Sequence, residues 1–181
     1  MLELRRNVAH LILGIFLAYL VVSLPHALVI VINLSLIGCL LVSVYLYNEY
    51  HIAFLAWLFA RFDRPSKFTA RGAIIFFVGT LIAILLFAPE FAALSILVLA
   101  VSDSIATITG HYAGKHKLLR GKTLEGTSAF FVSTCIILAF FVTPTRALLV
   151  ALATSLAELV TPAYIDDNLI IPVVTGLLLS I

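Results

Sequence analysis

The chain has 181 residues, of which 63% are hydrophobic and 11% charged. A soluble domain is roughly half apolar and a quarter charged, and a disordered chain combines low hydrophobicity with high net charge, so both classes are excluded. A net charge of +2 is too near balance to suggest a nucleic-acid binder. The two cysteines, Cys39 and Cys135, lie inside apolar runs and form neither a disulfide framework nor a metal knuckle. The composition is that of an integral membrane protein forming one domain, residues 1–181.

A transmembrane helix needs about 20 apolar residues, roughly 17 to 25. In chain order the candidate spans are 8–24, stopped by Pro25, then 27–47, 72–88, 91–110, 127–142 and 147–161. The piece 52–60 is too short to cross and reads as interfacial or as a helix extension. A last run, 169–181, is about four residues short of a comfortable span. The expected architecture is therefore an all-α, polytopic membrane helix bundle with six spans and a short seventh. Arg5 and Arg6 ahead of an apolar stretch also suit a secretory leader, but no small-x-small cleavage site with a soluble domain behind it follows.

Loop charge sets the orientation. With the N-terminus cytoplasmic, the inner segments carry Arg5 and Arg6; Arg61, Arg64, Lys67 and Arg71; and Lys115, Lys117, Arg120 and Lys122, against Arg146 alone outside. No internal repeat of the transporter kind is present in the pattern.

Several polar residues sit where a bilayer disfavours them. Asp103 lies about seven residues before the inner end of the fourth span, roughly 10 Å deep at 1.5 Å per residue. A charge near the centre of a span costs roughly 2.5–3.5 kcal/mol on insertion scales, which points either to an interhelical polar contact or to function. Asp103, Thr107 and Gly110 share one helical face, with Ala106 keeping it narrow. Glu158 is placed similarly near the inner end of the sixth span, and Asp166-Asp167-Asn168 follows. Capping by Asp167 or Asn168, with Pro172 in the early turns, accounts for one of these residues but not for the set. His10, with Arg6 and Gly14, falls on one face of the first span. His111 and His116 lack zinc-ligand spacing.

The inner loop holds Gly110, Gly114, Lys115, Gly121, Lys122, Thr123, Glu125, Gly126 and Ser128. Gly110 stands three residues, not four, before Gly114-Lys115, and position 116 is His, so neither glycine-lysine step makes a P-loop. Glycines, cations and a helix start near Thr123 still suit a phosphate, although a loop touching anionic lipid has the same composition.

The order of these elements resembles the CTP-dependent lipid kinases: dolichol, phytol and farnesol kinases and the CTP-using diacylglycerol kinase. The resemblance covers nearly the whole chain and rests on three stretches. They are Arg5-Arg6-x-x-x-His10 with Gly14; Asp103-x-x-Ala106-x-x-x-Gly110-x-x-x-Gly114-Lys115 with Lys122-Thr123-Leu124-Glu125-Gly126-Thr127-Ser128; and Glu158-Leu159 with Asp166-Asp167-Asn168-Leu169-x-x-Pro172. The central stretch is shared in part with phosphatidate cytidylyltransferases and CDP-archaeol synthases, whereas the last favours the kinases. Thr123 stands where many members have Ser, and the chain is much shorter than eukaryotic dolichol kinases.

The resemblance implies a kinase moving the γ-phosphoryl group of CTP to a membrane lipid alcohol such as a polyprenol, dolichol, phytol or diacylglycerol. It implies Asp103 as Mg²⁺ ligand or proton acceptor, and Lys115 and Lys122 as phosphate neutralisers. Gly110, Gly114 and Gly126 would admit the nucleotide, and Arg5 and Arg6 would reach its phosphates. His10, Thr123, Ser128 and Asn168 belong to the same nucleotide-side set, on a cytoplasmic loop at about 110–127. Glu125, Glu158, Asp166 and Asp167 would complete the metal shell. A cytidylyltransferase releasing pyrophosphate is the alternative, and an ion-coupled transporter using Asp103 and Glu158 a remote one.

Overall fold

The computed structural model describes residues 2–63, 68–162 and 164–181, with the side chains of Leu2 and Arg120 left aside. Arg64, Lys67 and the Arg120 side chain, three of the inner cations, therefore lie outside the described residues. Among those residues the chain is all helical, with no strand beyond one isolated bridge between Lys117 and Thr123.

Helix α1 (Leu2–Ser23) stops ahead of Pro25, which cannot continue it and caps α2 (His26–Tyr50) instead. After a left-handed turn at His51 comes the short α3 (Ala53–Phe62). Asp63 Oδ2 then accepts the Ala70 N–H at 2.6 Å, holding Ala70 at φ 59° as the entry to α4 (Arg71–Leu86). A proline opens α5 (Pro89–Val98), which runs through a π-helical turn, Leu99–Asp103, into α6 (Ser104–Ala113). After Gly114 the chain leaves the helix and turns through Leu119–Gly121, where Gly121 has φ 81°. Thr123 caps α7 (Leu124–Ala139), its Oγ1 accepting the Gly126 N–H at 3.1 Å. Pro144 starts α8 (Pro144–Val160), and Asp166, rather than Asp167 or Asn168, caps α9 (Asp167–Ser180) by accepting the Asn168 N–H.

Every apolar run read from the sequence has become a helix, including the interfacial piece, now α3. Length divides them. Three helical stretches, Glu3–Ser23, His26–Tyr50 and Pro89–Ala113, are long and apolar enough to cross a membrane, while α3, α4, α7 and α9 are shorter apolar helices. At 1.5 Å per residue, the 16-residue α4 and α7 are about 24 Å long.

The α5–α6 segment is the centre of packing, with α1, α4, α7 and α9 around it. Phe130, Leu99, Ile171, Leu138 and Val98 fill one apolar core, and Leu17, Val29, Ile84, Ala92 and Ile96 a second. By contrast α2 turns most of its apolar surface outward, including Leu28, Val31, Leu34 and Leu41, as a lipid-facing helix does.

Small residues bring helices into contact: a side chain at Gly14 would strike Ala100 of the π turn, and one at Gly79 would strike the Asn168 carbonyl. That carbonyl has lost its helical donor because Pro172, four residues on, has no N–H. Gly79→Val is thus expected to push α4 off the start of α9 and to destabilise the fold by about 1–3 kcal/mol. Gly38→Ala, in open space on α2, is expected to be neutral or slightly stabilising. Melting temperatures in detergent compare the two.

Polar contacts mark the two ends of the bundle. Arg6, Asp63, Arg71, Asp103 and Asp166 line one cavity at the end where α1, α4 and α9 begin. At the opposite end His26 Nε2 lies 2.8 Å from the Ile84 carbonyl, and the Arg146 guanidinium donates to the Leu179 carbonyl at 2.6 Å. Arg146 thus lies away from Arg6 and Arg71, the two cations of the cavity.

Candidate functional site

The cavity has a volume of about 620 Å³, within the range of small-molecule sites. Its walls are of two kinds. Leu13, Leu40, Leu58, Phe59, Phe62, Phe76 and Phe77 make an apolar, aromatic side; Arg6, His10, Asp63, Arg71, Asp103, Thr107 and Asp166 to Asn168 make a polar one. Helix α3 supplies three of the apolar residues, so the piece too short to span is a wall of the chamber.

Asp103 reaches this cavity through the π turn. Such a turn inserts an extra residue into the helical register, and π-bulges concentrate at functional sites. Here Leu99 and Ala100 stay buried, while Asp103 and Thr107 line the cavity. The charges nearest Asp103 are those of Asp167, Glu158, Lys122 and Arg6. Across the cavity, the His10 ring packs on Phe76 with centroids 4.4 Å apart, and its buried Nε2 has no partner among the described residues.

Asp167 of the cavity wall also belongs to a half-buried ion cluster. Lys122 Nζ donates to Glu158 Oε1 at 2.6 Å, to Asp167 Oδ2 at 3.0 Å and to the Glu158 carbonyl. The Lys122 side chain is 19% exposed and that of Glu158 8%. Glu158 Oε2 and Asp167 Oδ1 remain buried without partners among the described residues. These are hard oxygen donors of the kind Mg²⁺ takes. Nevertheless, no group of three His, Cys, Asp or Glu among the described residues is arranged to hold a metal ion.

Other expected site residues are placed differently from the sequence reading. Glu125 does not join the other acids: its Oε1 lies 2.7 Å from His116 Nδ1, and its Oε2 accepts the His116 main-chain N–H. Asp166 is spent partly on capping α9, though it also lines the cavity. Arg5 and Ser128 are exposed, and Arg6 pairs with Glu3 at 2.8 Å.

The glycines face protein. A Cβ at Gly110 would stand 3.0 Å from Thr123 Oγ1, one at Gly126 2.9 Å from the Ala106 carbonyl, and one at Gly114 would overlap the Gly110 carbonyl. They let α6 and α7 close on each other and on Thr123, which fixes the position of Lys122 one residue before. Lys115 is exposed on the loop.

Several residues were missed. Arg71 and Asp63 line the cavity, and Asn7 is buried, with its carbonyl accepting from Ser104 at 3.3 Å. Arg71 had counted only as a topological charge, and nothing local distinguishes it from its neighbours. Asn7 stands just before the apolar run that begins at residue 8, and only the earlier start of α1 at Leu2 places this amide inside the helix.

No protein-family model and no solved structure matches the chain. It is 36% identical over 184 residues to MJ1137 of Methanocaldococcus jannaschii, described as an uncharacterized protein, with 99% of this chain and 94% of that one aligned.

Proposed function

The chain belongs to the same family as MJ1137 of Methanocaldococcus jannaschii, and we propose that it is a multi-pass membrane kinase that moves the γ-phosphoryl group of CTP to the hydroxyl of a lipid alcohol, a polyprenol or dolichol-type isoprenoid. One observation carries the reading: a chamber with an aromatic wall and an acid-and-cation wall opens at the end of the bundle that bears the Gly/Lys loop. An amphipathic acceptor needs both walls at once. A nucleoside triphosphate needs the cations. The choice of CTP rests on the resemblance of the stretches around Asp103, Lys122 and Asp166 to the CTP-dependent kinases.

In this reading the lipid tail lies along Phe59, Phe76 and Phe77, and its hydroxyl meets Asp103. The acceptor oxygen forms a bond to the γ-phosphorus, the bond from that phosphorus to the β,γ-bridging oxygen breaks, CDP leaves, and the hydroxyl proton passes to Asp103. Lys122 and Lys115 neutralise the phosphates, and Arg6 steadies the transferring group. Mg²⁺ supplies further neutralisation of the phosphate oxygens when bound. Glu158 and Asp167 are the side chains with free oxygens for it.

The test is incubation of purified protein with γ-labelled CTP, Mg²⁺ and a panel of lipid alcohols. Label in the lipid and release of CDP are expected. With lipid phosphates in place of the alcohols, pyrophosphate and a CDP-lipid would make the protein a cytidylyltransferase instead, and nucleotide-independent solute uptake into vesicles would make it a transporter. The proposed topology has six spans, α9 as a short seventh, and the loop between α6 and α7 in the cytoplasm. A cysteine at Lys117 is therefore expected to react in intact cells only with membrane-permeant reagents, and labelling by an impermeant one would overturn the orientation.

A further inference from the structure

Helices α1 and α2 follow one another in the chain but barely touch. α1 packs on α5 and α6, α2 packs on α4, and the short α3 lies against both. Between them the chamber has an apolar rim. Leu13 of α1 and Leu40 of α2 both line the cavity, yet Leu13 is also 46% exposed and Leu40 only partly buried. Their neighbours Ile12, Phe16, Leu36 and Leu41 are exposed apolar side chains. Leu2 starts α1 and Tyr50 ends α2, which puts Leu13 and Leu40 about 15–17 Å along from that end. In a hydrocarbon core about 30 Å thick, that is the depth of acyl chains and not of water. Below the rim, α3 presents Phe54 stacked on Trp57 with centroids 6.1 Å apart, and Arg61 over the Trp57 ring at 4.8 Å. Exposed Trp beside a cation suits the membrane–water interface.

A chamber of about 620 Å³ encloses a drug-sized molecule. A polyprenol of dolichol length is several times larger, so most of its tail must stay outside. We infer that the gap between α1 and α2 at Leu13 and Leu40 is a lateral exit to the bilayer: the chamber holds the hydroxyl end of a long isoprenoid alcohol while the rest of its tail remains among the lipids. The identity of the occupant rests on the kinase reading; the opening rests on the rim. Only the first isoprene units are then read by the protein, and no methylene of a long tail has to be drawn into water.

The test uses no nucleotide, so its result is separate from that of the kinase assay. The photoreactive residue benzoylphenylalanine replaces Leu13, Leu40 or Val31 in the full-length protein, which is held in phosphatidylcholine nanodiscs containing tritiated polyprenol. Val31, exposed on α2, reports bulk lipid. Capture of tritium at positions 13 and 40 is expected to exceed that at 31 several-fold and to be displaced by farnesol, whose short tail needs no exit. Capture no greater than at position 31, or capture that farnesol leaves unchanged, overturns the inference. In the kinase assay, the preference for polyprenol over farnesol, as a ratio of kcat/KM, is expected to fall by about ten-fold or more in Leu13→Trp/Leu40→Trp. An unchanged ratio overturns the inference too. Farnesol-sensitive capture without lipid phosphorylation would sink the kinase alone; lipid phosphorylation without such capture would sink the exit alone.

Discussion

Asp103→Asn is expected to lower turnover by roughly 10²–10⁴-fold, the range spanned by loss of a positioned acid–base group, with the protein still folded. The amide keeps the shape of the carboxylate and removes its charge. In the structure that charge faces Glu158 and Asp167, so its loss relieves like-charge repulsion as well as the cost of holding an ion inside the bundle. A melting temperature equal to or above that of wild type is therefore expected together with the loss of activity. A structural Asp103 would give the same melting temperature with transfer intact. Near-wild-type turnover of Asp103→Asn with CTP and any accepted alcohol would remove the centre of the proposed mechanism.

Lys122→Ala is expected to act twice. It takes a phosphate-binding cation away, so CTP affinity and transfer both fall. It also leaves Glu158 and Asp167 facing each other around a void, and breaking a buried ion pair by removing one partner costs about 3–5 kcal/mol. The two effects separate in a double variant. Lys122→Ala/Glu158→Gln is expected to recover much of the thermal stability and none of the activity, because the amide removes the stranded charge without restoring a cation. Lys122→Arg is expected to rescue partly, since a planar fork cannot reproduce the three contacts of a compact ammonium. Unchanged stability, activity and nucleotide affinity in Lys122→Ala would reduce the loop to a topological signal.

The difference between these two residues shows how far sequence reasoning reaches. Asp103 stood out locally, as a charge in an apolar helix, and the structure puts it on the wall of the cavity. Lys122 read as a loop cation and, through the resemblance, as a phosphate neutraliser, with no sign of its acidic partners. Its ion pairs lie 36 and 45 residues away, on α8 and α9, and no spacing rule connects those positions. Glu125 misled for the same reason: an acid inside a motif looks like a ligand until His116 is seen to occupy it.

Local runs of residues dictate where the helices lie and which loops carry positive charge. Pro25, Pro89 and Pro144 stop or start helices by missing an N–H, Thr123 caps α7, and apolar runs partition away from water. Each of these is a property of a few adjacent residues and their solvent. Tertiary structure alone decided the rest. The π turn that aims Asp103, the use of Gly110, Gly114 and Gly126 to seat α7 on α6, and the two-walled chamber all arise from which helices meet. Only close packing of distant segments could make one loop lysine the shared partner of a buried and a half-buried acid, because an ion pair inside a bundle depends on distance in space and on the exclusion of water.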